Sequence, residues 1–152
     1  PEQIAEQTVV LIGCGPVGLC ALINALEYKP KHILAVDSVP SRLELAKSLG
    51  AEPWNFQLDR AGLDTSVQEL TNGRGADAVI EVVGLSPALR TGFELLRPWG
   101  TISSVGVHNG EVNRYVSAFS IVANKVLRFL GTAMMPIPRT SLSRWGDALF
   151  GL

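Results

Sequence analysis

Cysteine is scarce in this chain, with two residues, Cys14 and Cys20, among 152. Neither has a His or Cys at zinc-ligand spacing, which argues against a metal site here. Both read as small apolar fillers in a reducing, cytoplasmic compartment. Charge of one sign is equally scarce: the formal net charge is −1 and no long run of like charge occurs. That speaks against nucleic acid or an anionic membrane as partner. No apolar stretch reaches the roughly 18 residues of a membrane helix, and the N-terminus has none of the features of a signal peptide. Residues that would act on a substrate are mostly missing, so no catalytic residue and no metal ligand is assigned within the chain.

Hydrophobic residues make up 47% of the chain, an ordinary globular share. A domain of this size buries about 68–70% of its unfolded surface, enough for a core without staples. The chain begins at Pro1 and stops at Leu152, inside an amphipathic segment, 142–152. The expectation is a domain cut from a longer protein, with 1–7 a linker remnant and 8–152 the domain itself.

Short apolar runs alternate with helical patterns. Thr8–Gly13 is continuous and β-branched, as a strand covered on both faces would be. Pro16–Glu27 carries Leu19, Leu22, Ile23 and Leu26 on one helical face, with Pro16 in the first turn. His32–Asp37 reads as the second strand. Pro40–Leu49 reads as a helix closed by Gly50. A weaker strand over Ala51–Phe56 and a short helix over Leu63–Leu70 follow. The fourth strand is expected at Asp77–Val83, a helix at Pro87–Leu96 and the fifth strand at Thr101–Val107. After a looser stretch, 109–124, a sixth strand is expected from Val126 toward Gly131. Such alternation predicts an α/β domain with a doubly wound, mainly parallel six-stranded sheet, the Rossmann arrangement.

The glycine turn carries the chemistry. Gly13-Cys-Gly-Pro-Val-Gly18 lies between the first strand and first helix, and Asp37 stands nineteen residues after the last glycine. Gly13 allows a tight exit, Gly15 lets a pyrophosphate approach the backbone, and Gly18 lets the helix lie close on the strand. The open N–H groups at the helix start favour phosphate, with about 0.3–1 kcal/mol from the macrodipole. Pro16 has no N–H, so Val17 should carry more of the contact. Asp37 can accept the hydroxyls of an adenosine ribose. It would repel a 2′-phosphate by about 4 kcal/mol at about 4 Å and an effective dielectric near 20. NAD should therefore be preferred to NADP. Ser38 adjoins this position, and Arg42 either covers the ribose or adenine or is a solvated cation.

Val83 and Gly84 should wall the adenosine side at the end of the fourth strand. Glu81 on that strand needs a backbone or basic partner and reads as structural. Val105, Gly106 and Val107 should lie beside the nicotinamide half. His108 follows as an incidental histidine more than a proton carrier. Gly131 to Met134 could offer backbone groups to the carboxamide.

The residues V-V-L-I-G-C-G-P-V-G-L, A-V-D, R-L-E-L-A-K-S-L-G-A-E and G-A-D-A-V-I-E-V-V-G resemble the cofactor-binding domain of the zinc-dependent medium-chain dehydrogenases, the alcohol dehydrogenase group. The later L-L-R-P-W-G-T-I-S-S-V-G-V and L-R-F-L-G-T fit as well, so the resemblance runs from Thr8 to Thr132. It implies NAD(H) held by Gly13, Gly15, Val17, Gly18, Asp37, Arg42, Val83, Gly84, Val105, Val107 and the Thr132–Met134 backbone. It implies an alcohol or polyol substrate in the parent enzyme. It also implies zinc, on ligands from a flanking domain that this chain does not contain, and a homodimer joined through the apolar edge strand at 126–131. A metal-free reductase of the same superfamily, a non-catalytic nucleotide-binding regulatory module and an S-adenosylmethionine-binding domain stand as alternatives.

Overall fold

The computed structural model describes residues 6–106 and the strand at 126–129. Residues 1–5 of the expected linker 1–7, Val107, His108, the stretch 109–124, Leu130, Gly131, Thr132, Met134 and the segment 142–152 lie outside the described residues.

The elements run in the order β1 (Thr8–Ile12), α1 (Pro16–Glu27), β2 (His32–Asp37), α2 (Pro40–Leu49), β3 (Glu52–Asn55), α3 (Arg60–Leu70), β4 (Ala76–Glu81), α4 (Ser86–Leu95), β5 (Leu96–Ser104) and β6 (Val126–Phe129). One six-stranded sheet has the order β3-β2-β1-β4-β5-β6, and every pairing is parallel. The strand order reverses between β1 and β4, which places a crevice beyond their C-terminal ends.

β1 is buried along its whole length, and its alternation assigns each face a core. Val10 and Ile12 pack with Leu34, Val36, Val79 and Ile102 against Leu63 and Val67 of α3 and Leu89 and Phe93 of α4. Val9 and Leu11 pack with Ile33 and Ala35 against Leu22 of α1 and Leu43 and Ala46 of α2. On α1 the buried stripe is centred on Gly18 and Leu22. Ile23, expected in that stripe, is 48% exposed, because it sits about 100° around the helix from Leu22.

Several boundaries differ from the sequence-based expectation, each for a local reason. β4 ends at Glu81, not Val83, because the Glu81 carboxylate takes the backbone N–H groups of Val83 and Gly84. α3 starts three residues early, at Arg60, because the Asp59 carboxylate accepts the Gly62 N–H at 2.7 Å. α4 stops at Leu95 and β5 begins directly at Leu96, five residues before the expected start. Leu96 pairs with Ala76, and the register then shifts so that Thr101 pairs with Ala78. The residues between form a bulge, with Trp99 at φ +62° and Arg97 bonded to Asp77 at 2.6 Å. β3 is shorter than expected by one residue at each end.

Candidate functional site

A cavity of about 590 Å³ opens at the C-terminal ends of β1, β2 and β4. Gly13, Gly15, Pro16, Val17 and Gly18 form one side, and Asp37, Ser38 and Arg42 another. Val83 closes a third side with Val82 and Leu85. Its volume falls within the usual range for small-molecule sites, about 300–1,000 Å³.

The three glycines of the turn have different reasons to be glycine. Gly13 has φ +99°, a left-handed value that disfavours any side chain. A Cβ on Gly18 would collide with the Gly13 carbonyl, so this glycine permits α1 to approach the turn. Gly15 has φ −69°, which any residue adopts, and a Cβ built on it meets nothing within 4 Å. Neither backbone conformation nor protein packing therefore requires glycine at 15. The space beside it belongs to the cavity.

Helices α1, α2 and α4 all begin next to this cavity with a Pro in the first turn and no capping side chain. On α2 the N–H of Arg42 donates to the Val39 carbonyl at 3.1 Å; the first N–H groups of α1 and α4 meet no capping side chain. α3, in contrast, is capped by Asp59. A bound phosphate is favoured at such uncapped starts by the free donors and the macrodipole together.

Asp37 ends β2 with its side chain only 8% exposed. Its Oδ2 accepts the Cys14 N–H at 2.7 Å; its Oδ1 accepts the N–H groups of Ser38 at 2.7 Å and Val39 at 2.9 Å. The Arg42 Nη1 stands 3.8 Å from Oδ2. Burial works to raise the pKa of this carboxyl, but the three backbone donors and Arg42 outweigh it and hold the group below its ordinary value. A carboxylate has about four acceptor positions. Three are filled, so Oδ2 retains room for about one further donor, where both ribose hydroxyls were expected.

The Cys14 thiol is fully buried, and burial, reinforced by the Asp37 carboxylate, pushes its pKa up to about 12. It is a packing group with no thiolate chemistry near neutral pH. Glu81 is also fully buried. Its Oε1 accepts from Val83 and Gly84 at 2.8 and 2.7 Å, and its Oε2 accepts the Ser104 hydroxyl at 2.6 Å. Those bonds shape the turn that presents Val83 to the cavity and tie β4 to β5. The backbone partners expected for Glu81 are the N–H groups of Val83 and Gly84.

Nine of the sequence-derived site residues line the cavity: Gly13, Gly15, Pro16, Val17, Gly18, Asp37, Ser38, Arg42 and Val83. Gly84, Val105 and Gly106 are not among its lining residues. Gly84 turns its N–H to Glu81, Val105 donates its N–H to the Glu81 carbonyl, and a Cβ on Gly106 would collide with Gly84. Val107, Thr132 and Met134 lie outside the described residues. Sequence reasoning missed Phe56, Arg60, Leu85, Pro87, Ala88 and Thr91, which line the side formed by the ends of β3 and β4. The signal for them is positional: Phe56 and Arg60 follow the C-terminal end of β3, and Leu85, Pro87, Ala88 and Thr91 follow that of β4.

A profile described as zinc-binding dehydrogenase matches residues 16–145. The chain is similar to zinc-type alcohol dehydrogenase B of Aspergillus flavus, 89% identical over 112 residues, covering 74% of this chain and 26% of that protein. It is similar to erythritol/L-threitol dehydrogenase of Mycolicibacterium smegmatis, 34% identical over 131 residues, covering 86% of this chain and 35% of that one. Among solved structures, an alcohol dehydrogenase of Thermotoga maritima superposes with a TM-score of 0.81 at 28% identity, covering 99% of this chain and 40% of the other. The chain thus spans about a quarter to two fifths of the length of these three proteins.

Proposed function

The chain belongs to the zinc-binding dehydrogenase family, and we propose that it is the NAD-binding domain of an oxidoreductase that transfers hydride between an alcohol- or polyol-type substrate and nicotinamide. The observation that carries this reading is Gly15. It is a glycine that the fold does not require, set at an uncapped helix start, on a cavity with a buried carboxylate on another side. A Cβ there would occupy space that a pyrophosphate needs.

In this reading the N–H groups of Val17 and Gly18 hold the pyrophosphate. The Oδ2 of Asp37 accepts one ribose hydroxyl, and Ser38 and Arg42 flank it. Its charge disfavours a 2′-phosphate, so NAD is the cofactor rather than NADP. Val83 packs as an apolar wall. Val105 and Gly106 are assigned to the nicotinamide half, as are Val107 and Thr132 to Met134 on the family resemblance alone. The nicotinamide ring, when bound, supplies the hydride acceptor or donor. This chain's residues bind and orient the cofactor, and its fixed amides do so without reorganisation.

Among the described residues no three of His, Cys, Asp and Glu stand together to hold a metal. They do not fit a zinc site, so zinc and acid–base groups are assigned to the rest of the parent chain. Among the described residues no helix is long and apolar enough to cross a membrane. β6 pairs only with β5 and forms the end of the sheet among the described strands, which fits a homodimer joined through 126–131.

Calorimetric titration of the chain with NAD, NADP and S-adenosylmethionine tests the reading. NAD should bind saturably and NADP more weakly. No heat with NAD, or tighter binding of S-adenosylmethionine, rejects it.

A further inference from the structure

One fully buried carboxylate, Glu81, meets the exits of two strands. Its Oε1 accepts the N–H groups of Val83 and Gly84, just beyond β4, and its Oε2 accepts the hydroxyl of Ser104, the last residue of β5. The Glu81 carbonyl accepts the Val105 N–H at 2.8 Å. The two exits also touch directly, since a Cβ on Gly106 would collide with the Gly84 backbone.

The β4 exit leans in turn on the glycine turn after β1. Val82 donates its N–H to the Ile12 carbonyl at 3.1 Å. One methyl of Val82 lies 3.1 Å from the point where a Cβ would stand on Gly13, and 3.1 Å from the matching point on Gly18. A Val83 methyl lies 2.8 Å from the Gly13 point. Ser104 and Val105, then Glu81, then Val82 and Val83, then the glycine turn thus form one unbroken series of contacts. Burying a carboxylate is costly unless its bonds are met, and apolar side chains could fill the same space without that cost. What the carboxylate adds is direction. Its bonds fix where each exit points, which apolar packing alone does not.

We propose that Glu81 is a positioning residue that holds the β5 exit in a set place relative to the glycine turn, so that the two ends of a bound dinucleotide meet sites of fixed separation. This rests on the NAD-binding reading above, with Val105 and Gly106 on the nicotinamide half. It differs from a role in stability alone, because the loss on breaking the tie depends on how far the ligand extends along the crevice.

Calorimetry of NAD and AMP on the chain and on Ser104→Ala, Glu81→Asp and Glu81→Gln tests this, at a temperature where melting curves show each variant folded. AMP carries the adenosine and one phosphate, so it spans Asp37 and the glycine turn but not the β5 exit. Ser104→Ala cuts only the tie to β5. It should weaken NAD by about three- to tenfold, the value of one hydrogen bond, with AMP changed by less than about twofold. Glu81→Asp is one methylene short and releases both exits, so it should weaken NAD by about tenfold or more and AMP by a smaller factor. Glu81→Gln keeps the length, with an oxygen for the two amides and an NH2 for the Ser104 oxygen, and should bind both ligands within about twofold of the unaltered chain. Unchanged NAD affinity in Ser104→Ala overturns the inference, even where Glu81→Asp fails to fold. So does an equal loss of NAD and AMP in Ser104→Ala, which marks general loosening. A loss in Glu81→Gln as large as that in Glu81→Asp also overturns it, since charge and not position would then be responsible. Each of those results leaves NAD binding by the unaltered chain intact, whereas failure of that chain to bind NAD or AMP removes both readings.

Discussion

The Oδ2 atom of Asp37 lies 2.7 Å from the backbone nitrogen of Cys14 and ties the end of β2 to the glycine turn after β1. One carboxylate therefore performs two tasks. It braces the glycine turn, and in the proposed reading it sets the charge met by the ribose.

Replacement of Asp37 by Ser should weaken NAD by roughly 10- to 100-fold, the equivalent of about 1.5–3 kcal/mol for a hydrogen bond to a charged group. The handicap against NADP should relax at the same time. Titration with both cofactors measures this. An unchanged NAD-to-NADP ratio means that Asp37 is not at the ribose.

Asp37 also predicts an acid limb of stability. Its carboxyl sits below its ordinary value in the folded chain, so the stabilisation is fully present above the unfolded value, near 4. It is lost as the pH falls from there through the folded value. The stability difference between the chain and Asp37→Asn should be constant from pH 7 to about pH 5 and shrink below about pH 4. A difference that grows on acidification contradicts the assigned hydrogen bonds.

Gly15 and Gly18 should respond in opposite ways to alanine. At Gly15 the backbone angle and the space both accept a methyl, so thermal stability should hold or rise by about 0.4–1 kcal/mol while NAD affinity falls. At Gly18 the methyl collides with the Gly13 carbonyl, and overpacking should cost about 1–3 kcal/mol or more. Melting curves beside NAD titrations separate the two. A Gly15→Ala variant that binds NAD normally removes the main support for a pyrophosphate there.

Glu81 is a test of buried polar pairing. Glu81→Leu strands the N–H groups of Val83 and Gly84, at about 1–3 kcal/mol for each unsatisfied group. Glu81→Gln retains an oxygen for the two N–H groups and should cost far less. Urea unfolding should rank the unaltered chain and Gln variant well above Leu.

The two thiols should differ sharply in reactivity. Cys14 is buried with its pKa near 12, while Cys20 is exposed on α1. A disulfide reagent at pH 8 should label one thiol quickly in the folded chain and the second only on unfolding. Rapid labelling of both would place Cys14 at the surface.

The strand–helix alternation, the parallel sheet and the glycine turn were legible in the residues, because local patterns determine them. β-branched runs form buried strands, Pro opens helices and Gly13 makes the turn. The boundaries of β4 and β5 were not legible. They depend on Glu81 meeting its own downstream amides and on Arg97 meeting Asp77, twenty residues away, and neither encounter leaves a periodic trace.

By itself the order of residues determined where the glycine turn lies and which acid ends the next strand, since both follow from spacing along one strand–helix–strand unit. Only the tertiary structure decided how many acceptor positions Asp37 retains, and that Phe56, Arg60 and Leu85 share its cavity. The physical reason is that a sheet reversing its strand order gathers the ends of β1, β2, β3 and β4 at one crevice. Residues on separate units become neighbours there through backbone pairing and core packing, and nothing in their separation along the chain announces it.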